Sequence, residues 1–148
     1  MRLIITANLG RLRAFRVLPS DDPTRSNYVV QELETAPLEL VPQTISELAS
    51  DQAGRFNSDG SEGMSRGEAH GLEREEERRL IAQLAERIGG VIDTESPAGW
   101  FLAAPKSINA RLLEGLGSER QRTLRENRAQ DLCKLGGNEL GKRFGVLD

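Results

Sequence analysis

The 148-residue sequence has one cysteine, Cys133, and one histidine, His70. A lone cysteine excludes an internal disulfide, and with it a secreted scaffold held by cross-links. One His and one Cys cannot supply a nitrogen and sulfur ligand set for zinc, and neither a His-x-Glu nor a His-Glu-x-x-His pattern occurs. Aromatic residues make up 4% of the chain. The core must therefore be built from Leu, Ile, Val and Ala, and a set of exposed rings for stacking bases is missing. Lysine is confined to Lys106, Lys134 and Lys142. The formal net charge of -3 argues against a protein that coats nucleic acid by bulk charge. No stretch approaches the roughly 20 apolar residues of a membrane helix. The apolar run at 3–7 is too short for a signal peptide. The expectation is a cytoplasmic protein with no membrane partner.

What is present fits one α/β domain. The chain is 37% hydrophobic and 29% charged, near the globular norm. Residues 3–7 are apolar and largely β-branched, which predicts a buried strand. Asn8-Leu9-Gly10 is a turn signal, and residues 11–18 form the second arm of a hairpin. Residues 28–33 alternate as a third strand, and 38–41 extend the same sheet between Pro37 and Pro42. Residues 45–49 suit one helical turn, with Thr44 as cap.

Residues 51–69 are punctuated by Gly54, Gly60, Gly63 and Gly67 and have few apolar anchors, so they read as a mobile loop. From Leu72 the pattern becomes helical. Leu72, Leu80, Ile81, Leu84, Ala85 and Ile88 share one stripe, Glu75 stands four residues before Arg79, and Gly89-Gly90 supplies a stop. Residues 100–104 are a continuous apolar run, expected as a strand buried on both faces. Pro105 opens a helix whose stripe is Ile108, Leu112, Leu113 and Leu116. Residues 122–129 fit either helix or strand, and a last helix runs from about 138 to 144. The order predicts a mixed sheet covered by helices.

Four stretches carry a resemblance to the bacterial host attachment proteins. They are Ile5-Thr6-Ala7-Asn8-Leu9-Gly10-Arg11-Leu12-Arg13-Ala14-Phe15, the run from Leu48 to Gly60, His70 leading into the helix, and Ala103-Ala104-Pro105 followed later by Asp131-Leu132. The ordered set spans the chain. Asn8 stands where the family usually has Asp, and Leu135-Gly136-Gly137-Asn138 replaces a Ser-Pro start to the last helix. The resemblance implies a fold like the middle domain of archaeal and eukaryotic peptide-chain release factors, itself related to ribonuclease H-like folds. In that domain a glycine-rich loop before a long helix carries a Gly-Gly-Gln motif. Here Gln52 is followed by Ala53-Gly54, so that catalytic element is not carried over.

The candidate site residues follow from these readings. Glycines at 51–69 let backbone N–H groups turn toward an anion, with Arg55 and Arg66 adding charge and Asp59 beside them. Arg11, Arg13 and Arg16 line the second strand, while Arg120, Arg122, Arg125 and Arg128 come later. Adjacent strands would merge them into a basic patch; interleaved Glu119, Glu126 and Asp131 point instead to a mixed, ion-paired surface. His70, flanked by Glu68 and Glu73, is the candidate acid or base, but no nucleophile is identified for it. Cys133 is either a small core residue or a thiol activated by Lys134.

Neither a nucleotide-binding glycine motif nor a converging set of strand carboxylates is present, so no cofactor and no metal are expected. Three functions remain open. The first is a non-enzymatic binding module using the 51–69 loop and the nearby arginines, Arg11, Arg13, Arg55 and Arg66. The second is an RNA- or ribosome-associated factor. The third is an enzyme in which His70 meets Asp59 or Asn8.

Overall fold

The computed structural model describes residues 1–22, 24, 27–34 and 66–147, with 66–73 described by their backbone alone. Five strands form one mixed sheet: β1 (Arg2–Asn8), β2 (Arg11–Pro19), β3 (Tyr28–Glu32), β4 (Gly99–Ala103) and β5 (Leu124–Arg128). Among the described residues four helices accompany them: α1 (Arg66–Glu95), α2 (Lys106–Leu116), α3 (Ser118–Arg122) and α4 (Gly137–Arg143). The strand order is β3-β2-β1-β4-β5. β2 runs antiparallel to both of its neighbours, while β4 pairs parallel to β1 and β5 parallel to β4.

The central position of β1 explains its apolar sequence. Leu3, Ile5 and Ala7 face a core completed by Leu12, Ala14, Trp100, Leu102 and the buried stripes of α1 and α2. Ile4 lies in a second core with Phe15, Val17, Phe101, Leu132, Leu140 and Phe144. A strand covered on both faces has no solvent side to mark with polar residues, which is why β1 and β4 read as continuous apolar runs. The sheet is thus the middle of three layers, with α1 and α2 on one face and α4 with the 132–135 turn on the other.

Several expectations are corrected. Helix α1 begins at Arg66, so residues 66–69 and His70 are helical and do not belong to a loop; residues 35–65, including 38–41, 45–49 and 51–65, lie outside those described. Gly89-Gly90 does not stop the helix. The buried stripe continues from Ile88 to Ile92, and packing outweighs the roughly 1 kcal/mol propensity cost of each glycine. A Cβ at Gly89 would stand 2.9 Å from Arg120 Cζ, so the glycine lets that guanidinium lie against the helix. The stop comes at Ser96, whose φ of 46° takes the chain out of the helix just before Pro97. The pair of Glu75 with Arg79 is replaced by two pairs three residues apart, Arg78 with Glu75 at 3.7 Å and Arg79 with Glu76 at 3.3 Å. The ambiguous segment 122–129 divides between the end of α3 and strand β5.

Candidate functional site

Four of the five strands run in one direction and finish at one end of the sheet. In open sheets with parallel strands, ligands are bound outside the carboxyl ends. Helix α1 finishes four residues before β4 begins, so it descends toward the opposite end, and its amino-terminal half belongs to the carboxyl end. Its 30 residues span about 45 Å, against about 30 Å for β2, the longest strand. The helix therefore overhangs. Among the described side chains its buried stripe starts only at Leu80, and Arg74 to Arg79 are exposed or half-buried.

Asn8 closes β1 at this end. Its Oδ1 accepts the Gly10 N–H at 2.8 Å, shaping the hairpin turn, and its Nδ2 donates to Asp131 Oδ2 at 3.1 Å. The other Asp131 oxygen accepts the Cys133 N–H at 3.1 Å. Burial acts to raise the Asp131 pKa, but these donors and Lys134 outweigh it and hold the carboxyl below its ordinary range. Cys133 is buried, and burial pushes its thiol up to about 11, with Asp131 reinforcing the shift. The suggested activation by Lys134 is thus overturned: desolvation decides the thiol's state. Thr6 is fully buried beside this thiol. Its hydroxyl is near enough to favour the thiolate slightly, yet it has no well-aligned hydrogen-bond partner among the described residues.

Arg13 is committed to structure. One Nη donates to the carbonyls of Cys133 at 2.8 Å and Leu135 at 2.7 Å, while Nε and the other Nη grip Glu32 at 3.1 and 2.7 Å. It thereby ties β2 to β3 and to the turn under α4. The Glu32 pKa is lowered, chiefly by the Arg13 hydrogen bond and in small part by Arg11, which lies exposed on the same face and only partly opposes the upward shift of Cys133. Arg16 points to the opposite face and pairs with Glu95 at 2.6 and 3.0 Å. Because β1 and β4 separate β2 from β5, these arginines do not join those of 120–128. Two of the latter four are paired as well: Arg120 with Asp93 at 2.6 Å and Arg128 with Glu126 at 2.6 Å.

The structure places the other candidates as follows. Arg66 is the first residue of α1 and His70 lies one turn on, both on the overhanging part; Arg55 and Asp59 lie outside the described residues. One polar element escaped the sequence reading. Asn109, buried on the inner face of α2, exchanges amide hydrogen bonds with Asn127 of β5 and donates to the Arg128 carbonyl at 3.1 Å. Its signal was a polar residue on the stripe that includes Leu112 and Leu116. No cluster of three potential metal ligands occurs among the described residues. No helix there is long and apolar enough to cross a membrane.

The contact between Asn8 and Asp131 joins two distant stretches, 5–15 and 131–132, across 123 positions of sequence. The profile of the family described as "Protein required for attachment to host cells" matches residues 3–144, taking in both. The chain belongs to that family. No curated protein matches it. Within this host attachment protein, Asn8 brings an amide donor to Asp131.

Proposed function

We propose that this host attachment family member is a non-enzymatic binding module that meets a macromolecular partner at the carboxyl end of its sheet. The observation that carries this reading is the overhang of α1. Among the described side chains the buried stripe of α1 starts at Leu80, and the charged turns before it, Arg74 to Arg79, are exposed or half-buried, with Glu77 reaching Arg111 of α2 at 3.5 Å. The contact surface would combine those turns with the glycine-rich segment leading into the helix, using Arg55, Asp59 and Arg66, with the exposed Arg11 at the start of β2 and Arg13 holding that strand in place. Two features of the site support binding over chemistry. The Cys133 thiol is buried and protonated, and Asn8 and Arg13 are committed to structural hydrogen bonds. The proposed setting is the cytoplasm, so the family's attachment role would be exerted from inside the cell.

Photo-crosslinking residues at Arg74 and Arg78 test the surface, with Gln121 at the other end of the sheet as reference. The reading expects adducts from the α1 positions and none from Gln121. Adducts from Gln121 alone, or hydrolytic turnover abolished by His70→Ala, would overturn it.

A second reading is an RNA- or ribosome-associated factor related to the release-factor middle domain. The order of a glycine-rich segment followed by the long helix α1 favours it. It expects salt-sensitive co-sedimentation with ribosomes, weakened by Arg55→Ala or Arg66→Ala. Protein that stays in the supernatant at low salt would exclude it.

A further inference from the structure

On the α4 face of the sheet, the cover provided by α4 ends near Phe101 and Phe144, whose ring centroids lie 5.2 Å apart. Beyond them the outer strand β5 is crossed by its own cationic side chains. The register between β4 and β5 shifts between Trp100 and Phe101, so Arg125 is an extra residue in β5. Such a bulge puts Arg125 and Glu126 on one side of the strand. The Arg125 side chain then lies over Gly99, in the space a Cβ at that position would occupy. Arg128 stacks on Phe144, 5.3 Å from the ring centroid, and donates to the Arg143 carbonyl at 2.6 Å. That bond brings the exposed end of α4, with Lys142 and Arg143, against β5.

Arg125 and Arg128 of β5 and the exposed Lys142 and Arg143 of the adjoining end of α4 thus gather on this side of the molecule. Among the described residues of β5 the one carboxylate, Glu126, is already taken by Arg128. Among the described residues no ion pair involves Arg125, Lys142 or Arg143. The whole chain carries a net charge of -3, so this concentration of positive charge runs against the composition.

We infer that this patch is a second interaction surface, separate from the α1 end, that docks an acidic segment of a partner protein. Charge complementarity sets the class of partner, and two features favour a carboxylate-bearing peptide over a nucleic acid. The rings beneath the patch, Phe101 and Phe144, are buried and offer no stacking face to a base. The acidic remainder of the chain repels a long polyanion, whereas a short acidic segment meets only the local field. Arg125 and Arg143 present planar forks suited to paired contacts with carboxylates.

The test uses the full chain and a labelled oligo-glutamate peptide, followed by fluorescence anisotropy at low and high salt. Binding is expected at low salt, fading as salt rises. The double charge reversal R125E/R143E should weaken it roughly tenfold. K142E, on the exposed end of α4, should act in the same direction without disturbing a packed side chain. R74E/R78E on α1 should leave it unchanged, which separates this surface from the proposed α1 contact. The inference is overturned if K142E and R125E/R143E bind as the parent does, if only R74E/R78E loses binding, or if an oligo-uridine of matched charge binds more tightly than the peptide.

Discussion

Asn109 and Asn127 hold each other by reciprocal amide bonds, Nδ2 to Oδ1 at 2.8 Å in one direction and 2.6 Å in the other. The pair fastens the inner face of α2 to the edge strand β5. Asn109 further donates to the carbonyls of Ala104 and Arg128 at 3.3 and 3.1 Å. Asn109→Ala leaves these acceptors in a site with little access to water and should cost about 2–3 kcal/mol. Asn127→Ala, on the exposed partner, should cost about 1 kcal/mol. Urea unfolding of both single variants and the double variant should show a coupling of at least about 0.5 kcal/mol. Strict additivity would mean that the reciprocal pair is not formed in solution.

Asn8→Asp would set a second carboxylate against Asp131 in place of an amide donor. Like charges that close raise the pKa of at least one carboxyl group in the folded state. A raised folded pKa contributes stability below the unfolded value and loses it as pH rises. The variant should therefore match the parent below about pH 4 and be less stable at neutral pH, by about 1 kcal/mol once solvent screening at this exposed site is allowed for. The parent behaves in the opposite sense through Asp131. Its folded pKa is depressed, so its contribution is present at neutral pH and disappears as pH falls through that depressed value. Melting temperature measured against pH distinguishes the two curves; parallel curves would contradict the contact.

Cys133 offers a chemical reading of the same region. With the thiol pushed up to about 11 and buried, it should resist a disulfide reagent in folded protein at about pH 8, since the thiolate is the reactive form. The same reagent should label it fully in denaturant. Fast labelling of native protein would show that the 132–135 turn opens readily.

The two neighbouring glycines of α1 should respond differently to alanine. Gly90 has nothing among the described atoms within 4 Å of an added Cβ, so Gly90→Ala should stabilise the helix by about 0.5–1 kcal/mol. Gly89→Ala gains the same propensity but pushes Arg120 away from Asp93, which it now holds at 2.6 Å. Thermal melts should show a gain for the first variant and little or none for the second.

The strands β1 to β4 were legible because their signal is local. The apolar runs of β1 and β4 report burial on both faces, and Asn8-Leu9-Gly10 reports the hairpin between β1 and β2. The end of α1 was misread for a reason equally physical. Gly89-Gly90 is a stop by propensity, but Ile92 extends the buried stripe one turn further and Arg120, distant in sequence, rests on Gly89. Segment 122–129 is short and charged, and only its pairing with β4 selects a strand. The site was less legible than the fold. Arg13 reads as a surface cation in sequence, and its four hydrogen bonds come from elements more than a hundred positions away or from the neighbouring strand.

By itself, the amino-acid sequence determined the α/β class, the aliphatic core composition and the exclusion of an internal disulfide. These follow from residue types and short-range periodicity. Tertiary structure alone decided that Asn8 meets Asp131, that Asn109 meets Asn127, and that the arginines of β2 and β5 stand apart with two strands between them. Such facts depend on strand order and register, because a sheet brings together residues whose separation along the chain carries no information about their distance in space.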